Sequence, residues 1–364
     1  MAASWFSFLE AEKADVRNLL QSWPLAAYLK AYKAEQRGAA LVLDVRDTVR
    51  VALDKLARRG VLAAPVLDRA RAQYNGWFGI HDALCFFLAS NSEELMSVRH
   101  QIGPATDGGP GEQLLRGGAR AVRTSGRFAD RTLGSLVTRD SAKNLSAVDL
   151  RREHLTVLDV VLGAMTPHRS GWPGCHRIAV CKRHRTSDGW WLRDAMSVLH
   201  IISQTDICRL LLAHAHLLPI MVRTVSELGL MSRSNRVVGV WENKPALDAY
   251  ALMLEQRASA LGIFRDVDGK PILVENLSIS DLRVVLPDRW GILALPVSRV
   301  IELVCSIRPR PRGVVAVRPE STLYEALVLI VQCGLHHVFV TTAEGGPLSV
   351  ISTSDILRVL CHVR

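Results

Sequence analysis

Apolar residues recur with the spacing i, i+3, i+4, i+7 in four places. They are Val49, Ala52, Leu53 and Leu56; Val157, Val160, Val161 and Ala164; Ala246, Ala249, Tyr250 and Met253; and Leu323, Ala326, Leu327 and Ile330. That spacing lays one apolar stripe along a helix, so four amphipathic helices are predicted. Thr48, Thr156 and either Ser321 or Thr322 can cap a first turn, and Pro245 suits a first helical position. After each helix a short apolar run reads as a strand: Ala63 to Leu67, Arg177 to Val180, Ala260 to Phe264 and His337 to Thr341. A turn and a second apolar run follow. Each second run closes on a similar motif: Trp77-Phe78-Gly79-Ile80-His81-Asp82, Ile201-Ile202-Ser203-Gln204-Thr205-Asp206, Asn276-Leu277-Ser278-Ile279-Ser280-Asp281 and Val350-Ile351-Ser352-Thr353-Ser354-Asp355. Each then enters an apolar helix-like segment. The repeating unit is β-α-β-β-α, which makes the fold class α/β (α+β).

The spacing supports duplication. From Asp82 to Asp206 is 124 residues, from Asp206 to Asp281 75, and from Asp281 to Asp355 74. The excess in the first gap falls in a Gly- and Arg-rich stretch, residues 101–146, read as a mobile, modestly basic insertion. The domain reading is a helical segment at 1–36, repeat one at 37–100, the insertion at 101–146 and repeat two at 147–216. A linker at 217–234, repeat three at 235–290 and repeat four at 291–364 complete it. The helical segment, broken near Pro24, is expected to pack on the first repeat or on a partner. In the linker, Thr224 and Glu227 form a capping-box pair. Repeat two also has a long turn, Lys182 to Met196.

Composition narrows the class only slightly. The chain has 364 residues, 49% hydrophobic, enough for two compact units. Its seven cysteines are odd in number and lie mostly in apolar runs without a C-x-x-C pair, which favours free thiols in a reducing compartment. The acidic start at Glu10, Glu12 and Asp15 is unlike a secretory or transit signal, and no apolar run has membrane-spanning length. A cytoplasmic or nuclear protein is expected, with no membrane partner. A formal charge of +10 hints at an anionic partner: nucleotide, acidic protein surface or nucleic acid.

A Ser or Thr followed three residues later by Asp, at a strand-to-helix junction, sets a hydroxyl and a carboxylate on one lip of a cleft. The carboxylate can accept from both vicinal hydroxyls of a ribose, and the helix N-terminus can face phosphate. Asp82, Ser203 with Asp206, Ser278 with Asp281, and Ser352 with Asp355 are the ribose candidates. The same pattern is also a helix cap, and both readings stand at this point. Repeat one has Gly79 where the hydroxyl is expected. No phosphate loop, dinucleotide fingerprint or zinc-protease motif is present, so the chain reads as a non-enzyme without cofactor.

Val61-Leu62-Ala63-Ala64-Pro65-Val66-Leu67-Asp68, Cys175-His176-Arg177-Ile178-Ala179-Val180, Arg257-Ala258-Ser259-Ala260-Leu261 and Leu335-His336-His337-Val338-Phe339-Val340 match, in order, the strand starts of one family. Over residues 36 to 364 the chain resembles four-repeat CBS-domain proteins, and most closely the gamma subunits of AMP-activated and sucrose non-fermenting type kinases. The resemblance implies two tandem Bateman modules in a disc-like arrangement. It implies AMP, ADP or ATP bound in clefts between repeats, energy sensing, and alpha- and beta-type kinase subunits as partners. Phosphate contacts are expected from His176, Arg177, Arg257, His336 and His337. Leu62 stands where gamma subunits place an arginine, and His337 replaces an arginine with a titratable ring. Two alternatives remain: an adaptor that has lost nucleotide binding, and a polyanion-linked protein.

Overall fold

The computed structural model describes residues 2–33, 40–89, 128–136, 147–150, 154–166, 175–185, 191–231, 236–285, 287–308 and 313–361. Most of the basic insertion and the tip of the repeat-two hairpin lie outside them. All four predicted helices are present. Three are α-helices, Val49–Arg58, Ala246–Glu255 and Leu323–Gln332; the second begins as Val157–Val160 and widens into a π-helical turn, Val161–Met165. Thr48, Thr156 and Thr322 cap them as expected, whereas Pro245 is the N-cap rather than the first helical residue.

Four three-stranded sheets follow from four repeats, and all share one plan. A short leading strand runs parallel to the post-helix strand, which pairs antiparallel with the strand leading to the aspartate. The post-helix strands start at Ala63, Arg177, Ala260 and His337, the predicted residues. Their partners in register are Gly79, Ser203, Ser278 and Ser352, so each sheet delivers its motif to the same edge. Much of the long turn read from Lys182 to Met196 is strand, within Arg177–Arg185 and Trp191–Ser203. After Asp281 the chain forms 3-10 turns, Ile279–Val284 and Pro287–Ala294, not an α-helix. Pro287 accounts for the break, because its ring disfavours a helical residue before it and it offers no N–H.

Each repeat helix is clamped at its N-terminus by a second segment through two reciprocal backbone hydrogen bonds. Val157 N–H donates to Trp23 O and Leu25 N–H to Leu155 O; Val49 N–H donates to Arg131 O and Leu133 N–H to Asp47 O. Leu323 N–H donates to Arg223 O and Val225 N–H to Ser321 O; Ala246 N–H donates to Leu295 O and Val297 N–H to Lys244 O. These bonds satisfy first-turn donors that have no partner inside a helix. Every clamping segment precedes one repeat but grips its sequence neighbour. Thus the helical segment, Ala2–Gln21 and Leu25–Tyr32, serves repeat two, correcting the expectation that it packs on repeat one or a partner. The helix Val297–Ile307, assigned by sequence to repeat four, clamps repeat three. Residues 128–136, assigned to a mobile insertion, clamp repeat one, with Phe128, Leu133 and Leu136 buried.

Two compact units result. One holds residues 1–40, 146–237 and 315–364, hence repeats two and four; the other holds 41–145 and 238–314, hence repeats one and three. In the first, the helices Gln204–Ala213, Leu323–Gln332 and Thr353–Cys361 share a core with the N-terminal helix through Val16, Leu20, Ile207, Leu327 and Ile356. A bidentate ion pair, Arg223 to Glu12 at 2.8 and 2.9 Å, fixes that helix to the linker, with Arg223 also 5.0 Å from the Phe8 ring centroid. In the second unit Phe87, Phe128 and Trp290 pack ring to ring at 5.3 to 5.8 Å.

Two of the repeat helices end on a left-handed glycine, Gly60 (φ 65°) and Gly334 (φ 63°); the third places Arg257 there (φ 51°). A side chain at that conformation costs about 1 kcal/mol or more. Arg257→Gly is therefore expected to raise stability by about 1 kcal/mol in chemical denaturation; an unchanged or lower midpoint would contradict the strain.

Candidate functional site

In the unit of repeats two and four, Ser203 and Ser352 stand at strand ends and face Asp206 and Asp355 one helical turn on. Ser203 N–H and Oγ–H both donate to Asp206 Oδ2 at 2.8 Å. Ser352 does the same to Asp355 Oδ2 at 3.0 and 2.6 Å. The return bonds, Asp206 N–H and Asp355 N–H to the serine oxygens, complete reciprocal caps. Capping therefore occupies Oδ2, and it leaves Oδ1 of each aspartate facing outward. There, Arg209 meets Asp206 Oδ1 and Arg358 meets Asp355 Oδ1, both at 3.0 Å. Sequence reading missed these arginines, although each stands three residues after its aspartate, a spacing that puts both groups on one helix face.

A second layer joins the two motifs. Gln204 is buried and its Oε1 accepts from His176 Nδ1 (3.2 Å), Thr353 Oγ (3.0 Å) and Ser354 Oγ (2.9 Å), while its Nε2 donates to Met165 O (3.0 Å). Thr205 Oγ and His336 Nδ1 are 3.0 Å apart. His176 thus lies beside the repeat-two motif, His336 beside both motifs, and Arg177 opposite Ser203, near enough for its charge to act on His336. His337, the first residue of its strand, is buried with its ring edge-on to Phe339 at 5.5 Å. Arg257 belongs to the other unit and is exposed.

Two groups of the cluster are displaced from their ordinary titration. Burial, then the cations Arg177, His176 and Arg209, push His336 down to about 4. Burial disfavours the charged imidazolium, and the nearby cations add to that cost. For Asp206, burial pushes the carboxyl up, but the Lys33 ammonium and hydrogen bonds from Lys33 and Ser203 outweigh it and hold the carboxyl below its usual value. Lys33 Nζ lies 2.8 Å from Asp206 Oδ2. Nothing in the sequence pairs residues 33 and 206, and the lysine was not foreseen.

In the unit of repeats one and three, Ser278 N–H donates to Asp281 Oδ2 and Gly79 N–H to Asp82 Oδ2, each at 2.8 Å. Gly79 has a steric reason. A Cβ there would stand 2.5 Å from Leu62 O and 2.7 Å from Ala63 Cβ, so the strand pair leaves no room for a hydroxyl. Among the described residues no cluster of metal-binding side chains occurs, and no helix is long and apolar enough to cross a membrane.

Comparison with known proteins agrees with this architecture. The CBS domain model matches residues 308–362, the fourth repeat. The gamma-1 regulatory subunit of the SNF1-related protein kinase of Arabidopsis thaliana is 25% identical over 180 residues, covering 45% of this chain and 42% of that protein. The gamma-3 subunit of pig (Sus scrofa) 5'-AMP-activated protein kinase is 26% identical over 170 residues, covering 45% and 31%. Residues 308–362 thus match a CBS domain, and just under half of the chain is similar to kinase gamma subunits. A crystal structure from Methanocaldococcus jannaschii, of a protein proposed as an archaeal homologue of g-AMPK, superposes with a TM-score of 0.58 over 89% of this chain and 96% of that one. At 12% identity, it shows the shared fold. The chain spans less than half the length of the curated relatives it matches.

Two outcomes follow for the site. Restoring the repeat-one hydroxyl with Gly79→Ser is expected to destabilise the protein by about 1–3 kcal/mol through overpacking against the Leu62 carbonyl; a neutral variant in urea denaturation would contradict the crowding. The second concerns pH. His336 is harder to protonate folded than unfolded, so stability is retained above pH 6.5 and is lost as pH falls from 6.5 towards 4. Asp206, held low, adds its own loss only below its ordinary value of 3.8. His336→Gln should flatten the upper window in thermal scans and leave the lower one; an unaltered profile between pH 6.5 and 4 would contradict the assignment.

Proposed function

We propose that this protein is a non-catalytic regulatory subunit that binds adenine nucleotides and transmits their occupancy to a partner, as a gamma-type subunit of a protein kinase complex. The observation that carries this reading is that His176, Arg177, Arg209 and His336 lie close enough to act on one another in the unit that also holds the Asp355 cap. Asp355 offers an acceptor at a cleft lip, with a flexible, exposed Arg358 as its outer partner. A ribose diol can replace that arginine on Oδ1, while the cap on Oδ2 persists. The phosphates then reach the cluster, where Arg177 supplies a permanent charge and the histidines a titratable one.

Regulation by such a site requires only that one arrangement of repeats bind nucleotide better than another, since a ligand shifts an equilibrium by its differential affinity. Gln204, hydrogen-bonded to groups of both repeats, ties the two motifs into one responsive layer. For repeat one, a structural role is the better reading, because Gly79 has no space for the hydroxyl.

Calorimetric titration of the full chain with AMP, ADP and ATP tests the proposal. Binding is expected, with Asp355→Ala and Arg177→Met each weakening it by roughly 10-fold or more, the worth of lost charge-assisted hydrogen bonds. No heat with any nucleotide, from a folded sample, would contradict it. Affinity should also rise between pH 7 and 5, since bound phosphate favours the protonated His336. The rise should vanish in His336→Gln; a slope equal in both proteins would rule out that histidine as a phosphate contact.

A further inference from the structure

We infer that Lys33 determines which carboxylate of the repeat-two and repeat-four unit is open to a nucleoside: it fills the Asp206 position from within and leaves binding to Asp355. The inference rests on the nucleotide reading above and narrows it. The two motifs share a backbone plan and the same cap, yet their outer environments differ. Asp206 Oδ2 carries three donors, Ser203 N–H, Ser203 Oγ–H and Lys33 Nζ, each at 2.8 Å, and Oδ1 carries Arg209 at 3.0 Å. The side chains of Lys33 and Asp206 are 4% and 10% exposed. Asp355, 19% exposed, has the serine cap and Arg358, itself 46% exposed.

The segment that brings Lys33 is itself built onto repeat two. Leu25 N–H and Val157 N–H make the reciprocal clamp, and the helix Leu25–Tyr32 lays Tyr28 close enough to Asp206 for the carboxylate to raise the phenol, after burial, above its ordinary value. Tyr28 stacks on Tyr32 at 5.3 Å, which anchors the turn that presents the lysine. Repeat three shows what the lysine adds. Nine residues after the bridging Pro24 stands Lys33; nine after the equivalent Pro296 stands Cys305, a thiol with no charge to offer.

A ribose diol brings two neutral hydroxyl donors. To take Asp206 it must displace an ammonium that is tethered in place, buried, and bonded about twice as strongly as a neutral donor. Expelling the lysine would leave a buried carboxylate with only the half-exposed Arg209 as countercharge, so the exchange is unfavourable by roughly 100-fold in affinity. Lys33 is thus a specificity-determining residue for the cleft, and Asp206 is a structural lock on the N-terminal helix.

Titration of the full chain with AMP separates the two carboxylates. With Lys33 intact, Asp206→Asn should leave the isotherm unchanged, while Asp355→Ala loses one binding event. In Lys33→Met, one further binding event should emerge and be abolished by adding Asp206→Asn. Weakened AMP binding in Asp206→Asn alone, with Lys33 present, would overturn the inference, as would a Lys33→Met isotherm identical to wild type. A double-mutant cycle read by urea denaturation keeps the test independent of nucleotide. Lys33→Met and Asp206→Asn should each lower the midpoint, and the double variant should fall less than the two shifts added. Additive shifts would overturn the lock even if no variant binds AMP; non-additive shifts with no AMP heat would sustain the lock and sink the nucleotide reading.

Discussion

The reciprocal backbone clamp between helix N-termini is the constraint on which the rest depends. A β-α-β-β-α repeat leaves the first-turn amides of its helix without partners, and each repeat here solves this with a segment borrowed from beside its sequence neighbour. Each bond contributes only about 0.5–1.5 kcal/mol net. Their consequence is topological: connectors cross between adjacent repeats, while alternate repeats share a core. That is how His336 of one repeat comes within 3.0 Å of Thr205 of another, 131 residues away in sequence.

From this placement the chemistry follows. Two serine-aspartate caps, one per repeat, converge on a layer made of Gln204, Thr205, Thr353 and Ser354, and the strand-start basic residues gather at its rim. Burial, with the charges of Arg177, His176 and Arg209 nearby, keeps His336 neutral well into acid. Under the proposed function, phosphate is the group that meets these basic residues.

Much of the fold was legible because its signals are local. Helical stripes, Thr caps and the starts of the post-helix strands are read from neighbours a few residues apart, and the structure places all four strand starts at the expected residues. The partnerships were not legible, since they span the chain: Trp23 with Val157, Arg131 with Val49, Glu12 with Arg223. Phe128–Leu136 illustrates the failure. Its surroundings are rich in Gly and Arg, and nothing local announces that its apolar residues complete a distant core. The candidate site divides in the same way. Asp206 and Asp355 were singled out from the repeat, and His176, Arg177 and His336 from the family resemblance, whereas Lys33 and Gln204 make contacts that no periodicity records. The Ser-x-x-Asp pattern also proved to be a cap in every case where a serine is present, so the motif by itself does not separate a binding carboxylate from a structural one; the two carboxylates of this unit differ in the lysine that Asp206 holds on its capped oxygen.

Hydrogen–deuterium exchange on the full chain with and without AMP tests the central claim most directly, because it reports place as well as occupancy. The account predicts added protection at the strand starts around Arg177 and His336 and at the turn from Ser352 to Ile356, with the helix Leu25–Tyr32 unchanged. Protection centred on Leu25–Lys33 and the turn from Ser203 to Ile207, or none anywhere at saturating AMP, would contradict it.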